Sequence, residues 1–298
     1  MELSIIIVNF NTRQLLFNCL KSIFTETKNI SYEVIIVDNG STDDSLSFVK
    51  KHFPQVKIIT NKKNLGFAKA SNQGVTIAKG KYLLFLNSDT LILNKAIEKS
   101  LKFIIKNPQI NILGCRLLNK DRSIQPSIGF FPQLKQLFLM MFFLDDIPFI
   151  NRLMKPYQQS RIDFYCKTQE VDWVTGAFLL LSKKVINKIG GFDEDFFMYN
   201  EEVDFCYRAK KEGFKVWFYH EPEIIHLKGK SSQEGFKTAV LGEYQGLEKF
   251  YKKYQSSLAN QQLRFLLKFG ALLRIVVFGI LKQDKYKQKT YEEAFKLV

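Results

Sequence analysis

The chain has 298 residues, of which 46% are hydrophobic, and a formal net charge of +15. This length suits one domain of about 230 residues with an appendage, and it allows a large core. The four cysteines lack the paired spacing of a zinc site or a disulfide framework, so we expect reduced thiols in a cytoplasmic protein. The opening residues lead into a strand without a basic and apolar leader, so no signal peptide is expected.

Apolar strands alternate with helical segments over the first ninety residues. The strands are short and nearly continuous in hydrophobicity, as in strands buried on both faces, and they cover residues 4–8, 33–37, 56–59 and 82–86. Helical periodicity occurs between them, in residues 12–24, 42–53 and 66–78, and residues 41–44 offer an N-cap with acidic first-turn residues. This order predicts an α/β domain with a doubly wound parallel sheet.

Polar residues follow each of the four predicted strands, at residues 9–11, 38–41, 61–66 and 87–89. The carboxyl ends of parallel strands meet at one rim of a sheet, so these groups should converge there. A carboxylate such as Asp38 could accept a hydrogen bond from a base or a ribose, and Asp89 could hold a divalent cation that bridges a diphosphate. Each motif alone is equally typical of a turn, but the fourfold coincidence predicts a nucleotide site.

Three carboxylates open a predicted amphipathic helix in residues 197–208. At helical spacing Glu201, Asp204 and Arg208 share one face, whereas Glu202 points elsewhere and can meet a substrate. A carboxylate held at a helix start can act as a general base. The alternative is an acidic first turn that complements the helix dipole and caps the helix.

The end of the chain is basic. Residues 246–298 hold eleven Lys or Arg against four Asp or Glu, and the apolar segment 264–281 is interrupted by Lys268 and Arg274 before it reaches the ~20 residues of a spanning helix. On a helical wheel one broad face carries Arg264, Lys268, Arg274, Lys282 and Lys285. The opposite face is mostly apolar, with Phe265, Leu266, Leu272, Leu273, Val276 and Val277. This pattern predicts an interfacial helix on anionic lipid, with a docking helix or a homodimer contact as the alternative.

A second apolar stretch, 134–144, could line a lipid or acceptor groove or belong to the core.

A series of motifs resembles the inverting family 2 glycosyltransferases of the GT-A fold, and among them the rhamnosyltransferase branch that builds bacterial surface polysaccharides from a dTDP-sugar. The motifs occur in order at residues 5–11, 37–43, 64–74, 86–89, 173–177 and 190–194, the Glu201-Glu202 pair and His226. The resemblance implies a Rossmann-like, mostly parallel sheet flanked by helices. It implies a GT-A nucleotide-diphospho-sugar transferase domain over residues 1–235, with a nucleotide-binding half (1–115) and an acceptor and catalytic half (116–235). A C-terminal helical, membrane-associating segment would cover 236–298.

The resemblance also implies a donor site and a metal site. Asp38 takes the nucleobase contact, and Asp89 is the metal ligand of a D-x-D-like motif that binds Mg²⁺ or Mn²⁺. His226 is a second metal or diphosphate contact. Asn87 stands in place of the first carboxylate of that motif, which leaves a single acidic ligand. The residues implied around the nucleotide-sugar are Asn9, Asn11, Asn64, Gly66, Phe67, Asn72, Asn87 and Ser88.

On the acceptor side, Glu202 falls where the family has the Asp of a Glu-Asp pair, the general base that deprotonates the acceptor hydroxyl. Glu201 or Asp204 could be the base instead. Trp173 could form an apolar platform for a sugar ring beside Gly176 and Ala177, or could be a core aromatic. Residues 229–232, which read Gly-Lys-Ser-Ser after His226, resemble a flexible phosphate-binding segment.

These features predict an inverting glycosyltransferase, bound peripherally to the inner face of the cell membrane. It would transfer rhamnose or a related hexose from a dTDP- or UDP-linked donor to a glycan or lipid-linked acceptor. A sugar-nucleotide pyrophosphorylase would want a Gly-rich, basic loop after the first strand, where residues 9–12 read Asn-Phe-Asn-Thr. A nucleic-acid-binding protein is the other alternative, but no strand interleaves basic and aromatic residues, so we expect no nucleic-acid partner.

Overall fold

The computed structural model describes residues 1–145, 147, 149, 155–227 and 235–298. The strands are β1 (Leu3–Asn9), β2 (Tyr32–Asp38), β3 (Lys57–Thr60), β4 (Tyr82–Leu86), β5 (Thr90–Ile92), β6 (Ile112–Leu118), β7 (Ile124–Gln125), β8 (Ile128–Gly129), β9 (Gln169–Glu170), β10 (Trp173–Val174), β11 (Phe178–Ser182) and β12 (Val216–His226). The helices are α1 (Arg13–Glu26), α2 (Ser45–His52), α3 (Phe67–Ile77), α4 (Ala96–Lys106), α5 (Leu134–Met141), α6 (Lys183–Ile189), α7 (Glu201–Lys211), α8 (Gly235–Tyr254), α9 (Ser257–Val276) and α10 (Lys285–Leu297). A 3-10 turn covers Ile162–Cys166, and a π-helical turn covers Val277–Leu281.

One large sheet organises the chain, with the strand order β3-β2-β1-β4-β11-β6-β12-β5. Strands β1 to β4 pair in parallel, and they are the four strands predicted from the sequence. Strand β11 runs antiparallel to β4 and β6, while β12 is parallel to β6 and antiparallel to β5. The prediction of an α/β fold with a mostly parallel sheet is therefore confirmed.

Both faces of the sheet are buried under helices. Successive side chains of a strand point to opposite faces, so neighbouring residues of β1 pack in different layers. Ile5 and Ile7 pack in one apolar layer with α1 and α4. Ile6 packs in the other layer with α3 and α7, and this layer also contains Leu247 of α8 and Leu267 of α9. The C-terminal helices thus share the core of the sheet.

Helix α2 begins at Ser45 rather than at residue 42. Asn11 Oδ1 accepts hydrogen bonds from the main-chain N–H groups of Thr42 at 2.8 Å and Asp43 at 3.3 Å, which holds these residues in the loop. The Asp43 carboxylate then accepts from the Ser45 N–H at 3.2 Å. The predicted N-cap region therefore clamps the loops after β1 and β2 together.

The helical wheel was wrong about Arg274. This side chain is only 8% exposed, and its guanidinium donates to the carbonyl oxygens of Met141 at 2.6 Å and Met140 at 2.9 Å. The last carbonyls of a helix have no partner within that helix, so a cation at the end of α5 satisfies them. Arg274 fastens α9 to α5 and does not belong to a cationic surface.

The exposed face of the α9 region is apolar. An exposed stripe runs along it at helical spacing, made of Phe265, Phe269, Leu272, Val276 and Ile280. Leu266 of the predicted apolar face is buried instead. The stretch 134–144 divides in the same way, since Leu137 and Met141 are buried whereas Phe138 is exposed. In the part of the chain that the structure describes, no helix is long and apolar enough to cross a membrane.

Candidate active site

The carboxylate of Asp38 lies at the end of β2, directly opposite Asn9 in the sheet register. It is 0% exposed and accepts hydrogen bonds from Asn9 Nδ2 at 2.8 Å, from the Ser41 hydroxyl at 2.6 Å and from the Ser41 N–H at 3.0 Å. A carboxylate so placed shapes the loop that follows β2. The contact of Asp38 with the nucleobase stays a prediction.

The hydrogen-bonded chain continues across the strand ends. Thr12 Oγ1 donates to Asn9 Oδ1 at 2.6 Å and lies 3.0 Å from the hydroxyl of Ser88. The residues implied after β1, β2 and β4 are therefore brought together as one surface. We call this surface, formed by Asn9, Asn11, Thr12, Asp38, Asn39, Ser41, Asn64 and Ser88, the donor rim. Thr12 was not singled out from the sequence, because a lone hydroxyl after a strand carries no distinctive spacing.

The loop after β3 joins the rim to the second half of the protein. Asn39 Nδ2 donates to Asn64 Oδ1 at 2.8 Å, and Asn64 Oδ1 accepts from the Gly66 N–H at 2.9 Å. Gly66 has φ +85°, and a Cβ there would lie 2.5 Å from the carbonyl oxygen of Phe197. That oxygen accepts from the Phe67 N–H at 2.7 Å. Glycine is required here by both the backbone angle and the close approach.

Asn72 makes a second connection of the same kind. Its Nδ2 donates to the Phe192 carbonyl at 2.8 Å, and its Oδ1 accepts from the Phe192 N–H at 2.9 Å. Asn72, Gly66 and Phe67 were implied as contacts to the nucleotide-sugar. In the structure they brace the segment 192–197, which precedes the carboxylates of α7.

Asp89 occupies a buried position next to His226. It is 1% exposed, and among the described residues neither carboxylate oxygen receives a hydrogen bond. His226 Nε2 lies 3.3 Å from Asp89 Oδ1 and 3.3 Å from Asn87 Nδ2. The antiparallel pairing of β5 and β12 places His226 opposite Thr90 and so brings the imidazole to the D-x-D-like motif. The structure thus brings together three residues that the sequence implied at the metal site.

Gln125 fixes the orientation of the His226 ring. Its Nε2 donates to the His226 carbonyl at 3.1 Å and to Asn119 Oδ1 at 2.7 Å, which sets the direction of the amide. Gln125 Oε1 must therefore accept from His226 Nδ1, at 2.6 Å. His226 Nε2 is then the acceptor nitrogen, and it faces Asp89 Oδ1 and the Asn87 Nδ2 donor, with the ring held as in metal-binding histidines. No sequence signal could reveal Gln125, which lies far from His226 along the chain.

Glu201 and Glu202 begin α7 in a buried setting. Burial raises the pKa of Glu202 from its ordinary value of 4.5 to about 7, and a nearby carboxylate, Glu243, also raises it. Burial and the charge of Glu202 raise the pKa of Glu201 well above its usual range. Within the described residues, Oε2 of each receives no hydrogen bond. Glu202 therefore has the environment of a general base that works near neutral pH.

The backbone before these carboxylates is unusual. Tyr199 has φ +73° and Asn200 has φ +70°, two consecutive left-handed residues that are not glycine. Such backbone angles are costly and cluster at functional sites. The hydroxyl of Tyr157 donates to Asn200 Oδ1 at 2.7 Å and helps to hold the turn. Tyr157 and Glu243 were both missed in the sequence, where neither belongs to a motif.

Asp204 is not available as a base. It is 0% exposed, and its oxygens are held by Arg208 Nε at 2.7 Å, Lys253 Nζ at 2.8 Å and the Tyr254 hydroxyl at 2.7 Å. The carboxylate is fully engaged with cations and a hydroxyl, so it fastens α7 to α8. The proposed alternative role for Asp204 is corrected by this geometry.

Trp173 is a core aromatic rather than a sugar platform. It is 5% exposed, its Nε1 donates to the Phe130 carbonyl at 3.2 Å, and its ring centroid lies 5.7 Å from that of Tyr157. Gly176 and Ala177 act through their backbone: the Gly176 amide hydrogen-bonds to Glu202, and the Ala177 carbonyl accepts from the Asn87 N–H at 3.2 Å. The predicted phosphate-binding segment 229–232 lies outside the described residues.

The family of the chain follows from its sequence match. Residues 4–190, more than half of the chain, match Glycosyl transferase family 2. The protein belongs to this family and is a glycosyltransferase. The pyrophosphorylase and nucleic-acid-binding alternatives find no support in this assignment.

Two rhamnosyltransferases are among the proteins to which the chain is similar. An N-acetylglucosaminyl-diphospho-decaprenol L-rhamnosyltransferase of Mycobacterium tuberculosis is 26% identical over 254 residues, covering 81% of this chain and 81% of the relative. Rhamnosyltransferase WbbL of Escherichia coli is 26% identical over 218 residues, covering 70% of this chain and 77% of the relative.

Solved structures agree on the fold. The mannosyltransferase PcManGT of Pyrobaculum calidifontis, in complex with GDP-Man and Mn²⁺, has a TM-score of 0.60 at 14% identity, covering 99% of this chain and 83% of that one. TarS of S. aureus in complex with UDP has a TM-score of 0.55 at 16% identity, covering 99% of this chain and 90% of that one. Identities this low establish the fold alone, and the fold is that of the GT-A glycosyltransferases.

Proposed function

We propose that the protein transfers rhamnose or a related hexose from a dTDP- or UDP-linked donor to a glycan or lipid-linked acceptor, with inversion, as a step in cell-surface polysaccharide synthesis. The observation that carries this proposal is the position of Tyr199 near both groups that the reaction needs. The carboxylates of Glu202 and Asp89 both raise the pKa of Tyr199, so the proposed general base and the proposed metal ligand lie near one side chain. The names of the two rhamnosyltransferase relatives support the sugar, and the name of the Mycobacterium tuberculosis relative supports a lipid-linked acceptor.

The reaction follows as a direct displacement. The acceptor oxygen forms a bond to the anomeric carbon while the bond from that carbon to the diphosphate oxygen breaks, and the nucleoside diphosphate leaves with the electron pair. Glu202 takes the hydroxyl proton. With a pKa of about 7, Glu202 is partly ionised at neutral pH and is a stronger base than an exposed carboxylate. Attack from the face opposite the leaving group inverts the anomeric carbon.

A divalent cation fits the residues at the end of β4. The buried Asp89 lacks a hydrogen-bond donor among the described residues, and Gln125 holds His226 with its Nε2 lone pair toward Asp89. These two side chains would hold Mg²⁺ or Mn²⁺, although no group of three or more His, Cys, Asp or Glu side chains converges in the described parts of the chain. The ion would stabilise the charge of the leaving diphosphate.

The apolar stripe of the α9 region is proposed to dock on an anionic membrane surface. Phe265 and Phe269 of the stripe and Phe138 of α5 line a cavity of about 510 Å³ whose walls are almost wholly apolar. Exposed lysines flank this region at Lys282, Lys285 and Lys289. Exposed aromatic and aliphatic side chains beside cations match the boundary between acyl chains and anionic headgroups. This placement would put the active site at the inner face of the cell membrane, beside a lipid-linked acceptor.

A panel of dTDP-, UDP- and GDP-sugars, each with and without Mg²⁺ or Mn²⁺, tests the reaction. We expect a thermal shift with dTDP- or UDP-sugars, because a ligand at a hundredfold excess over its Kd stabilises the folded state by about 2.7 kcal/mol. Release of the nucleoside diphosphate and NMR of the product linkage then identify the sugar and the stereochemistry. A product with retained configuration, or binding of none of the donors, would overturn the proposal.

Vesicle sedimentation tests the membrane surface. Binding to vesicles rich in phosphatidylglycerol should exceed binding to phosphatidylcholine vesicles and should fall when Phe265 and Phe269 are both replaced by Ser. Ile105→Ser, at an exposed apolar position of α4, is the matched control and should bind normally. Vesicle binding by the double variant equal to that of wild type would refute this docking face. A wild-type mass in light scattering twice that of the chain, and a single-chain mass for the double variant, would assign the face to a homodimer instead.

A further inference from the structure

Helices α5 and α9 form an apolar groove and are clamped together beside it. A Cβ on Gly270 would lie 2.5 Å from Met141 Sδ, and Arg274 donates to the carbonyl oxygen of Met141 at 2.6 Å. The two helices are therefore in close contact where α5 ends. Toward the start of both helices lies the cavity of about 510 Å³, which Leu134 and Gln262 line. The groove is thus held open by a fixed pair of helices.

Paired aromatic rings form the walls of this groove. The ring centroids of Phe138 and Phe142 on α5 lie 4.7 Å apart, and those of Phe265 and Phe269 on α9 lie 4.9 Å apart. Both pairs have i, i+4 spacing, so each makes a continuous wall along its helix. Leu266, which is 9% exposed, lines the same cavity. Two facing apolar walls make a channel for one hydrocarbon chain, which is removed from water when it enters.

Two lysines lie at the end of the groove where α5 begins. Lys135 lines the cavity itself. Gln136 Nε2 donates to the carbonyl oxygen of Lys155 at 2.8 Å, which places Lys155 against the first turn of α5. Both lysines are exposed. An anionic group attached to a chain in the groove would therefore meet two cations, and a compact ammonium group is a common partner of phosphate.

The segment that contains Lys155 connects the groove to the proposed catalytic carboxylates. The hydroxyl of Tyr157, two residues further on, donates to Asn200 Oδ1 at 2.7 Å, and Asn200 directly precedes Glu201 and Glu202. Consecutive Cα atoms are about 3.8 Å apart, so those of Lys155 and Tyr157 are at most about 8 Å apart. An apolar groove, two cations and the proposed general base thus follow one another along this side of the protein.

We propose that the groove binds the hydrocarbon chain of the acceptor, and that the acceptor is a sugar joined through phosphate to one long chain. This proposal rests on the proposed transfer to a lipid-linked acceptor. The order of groups in such a molecule matches their order on the protein: the chain lies in the groove, the phosphate charge meets Lys135 and Lys155, and the sugar hydroxyl reaches Glu202. The acceptor chain would pass into the groove from the membrane on which the apolar stripe is proposed to dock.

Isothermal titration with farnesyl diphosphate, in vesicle-free buffer with EDTA, tests the groove. The probe has one hydrocarbon chain and one diphosphate, and EDTA removes the divalent cation that would hold a diphosphate at Asp89. We expect the wild type to bind the probe and not inorganic pyrophosphate at the same concentration. Phe138→Ser should weaken the binding by roughly tenfold, because it removes part of one apolar wall. Ile105→Ser, also at an exposed apolar position, is the matched control and should bind normally.

Lys135→Gln separates the contribution of charge from that of the chain. It should weaken the binding of farnesyl diphosphate by about threefold to fivefold at low salt and leave the binding of farnesol, which has no charge, unaltered. Lys106→Gln removes an exposed lysine from the last turn of α4 and should change neither affinity. Equal losses for farnesol and farnesyl diphosphate in Lys135→Gln would overturn the placement of the phosphate.

Equal affinity of Phe138→Ser and the wild type for the probe would overturn the proposal. A wild type that does not bind the probe would also overturn it, and the groove would then be a contact to the bilayer or to a second copy of the chain. If Phe138→Ser fails to fold, a diazirine analogue of farnesyl diphosphate decides: crosslinks in 134–142 or 262–269 support the groove, and crosslinks only elsewhere overturn it. Because these measurements need no turnover, a protein that binds the chain but transfers no sugar would refute the proposed reaction and not the lipid site.

Discussion

At the donor rim the carboxylate of Asp38 is surrounded by hydrogen-bond donors, whereas at the start of α7 Glu201 and Glu202 each have an oxygen that receives no hydrogen bond among the described residues. Asp38 and Glu201 are both buried, and Glu202 is partly buried. The first is a satisfied network, which holds a shape. At the second site, burial and the repulsion of like charges disfavour the ionised carboxylates, so a proton taken from a substrate stabilises them. A buried carboxylate therefore indicates binding or chemistry according to its partners, not its burial.

The largest expected effect is on catalysis. Glu202→Gln should lower kcat by roughly 10²-fold to 10⁴-fold, the span for loss of a general base, while donor affinity stays near wild type. The amide keeps the shape but cannot accept the proton. Steady-state kinetics with isothermal titration of the donor would measure both. Glu201→Gln is the control and should retain most activity. An inactive Glu201→Gln beside an active Glu202→Gln would exchange their roles.

The next effect concerns the metal. Gln125→Ala should weaken the apparent affinity for Mn²⁺ by about 10-fold to 100-fold, because the proton on His226 is no longer held on Nδ1. Metal-dependent turnover across a Mn²⁺ titration gives this constant. Gln73→Ala makes the same change beside the donor rim, where Gln73 pairs with Asn61 at 2.8 Å, and should leave the Mn²⁺ constant unaltered. Equal constants in both variants would remove Gln125 from the site.

A matched pair of isosteric changes contrasts the two kinds of carboxylate directly. Asp38→Asn should lower the free energy of unfolding by about 1–3 kcal/mol, because the new NH₂ group faces donors where the carboxylate accepted. Glu201→Gln should leave stability within about 0.5 kcal/mol of wild type or raise it, since it removes a buried ionisable group, one oxygen of which receives no hydrogen bond among the described residues. Urea unfolding measures both. If both variants were destabilised alike, the contrast between the two regions would fail.

The last effect is on the pH dependence of stability, and it is spread over three pH units. The pKa of Glu202 is raised on folding, so the folded protein binds its proton more tightly than the unfolded chain does. The stability from this group is complete below about pH 4.5 and is lost as pH rises through about 7. The free energy of unfolding of the wild type should therefore fall by on the order of 1–3 kcal/mol between pH 5 and 8, relative to that of Glu202→Gln. Urea unfolding at each pH measures both proteins. The same pH dependence in both would contradict the raised pKa of Glu202.

Strand periodicity predicted β1 to β4 and the polar rim, because buried parallel strands leave a continuous apolar signal and their ends coincide. The sequence could place Asp89 and His226 in one site only through resemblance. The sequence does not show that Asp204 and Arg274 make structural contacts, because their partners Lys253 and Met141 come from other helices. Gln125 and Glu243 were invisible for the same reason: their roles depend on contacts over long stretches of chain.

The contact of Gly66 and Phe67 with the carbonyl oxygen of Phe197 has a consequence for the order in which substrates bind. One carbonyl oxygen ties the loop of the donor rim to the segment that leads into the carboxylates. A nucleotide-sugar bound at the rim, as proposed, would restrain this loop and, through the shared carbonyl oxygen, the segment before α7. The acceptor would then meet a segment whose conformational entropy has already been reduced. We therefore expect a sequential mechanism in which the nucleotide-sugar binds first and the nucleoside diphosphate leaves last.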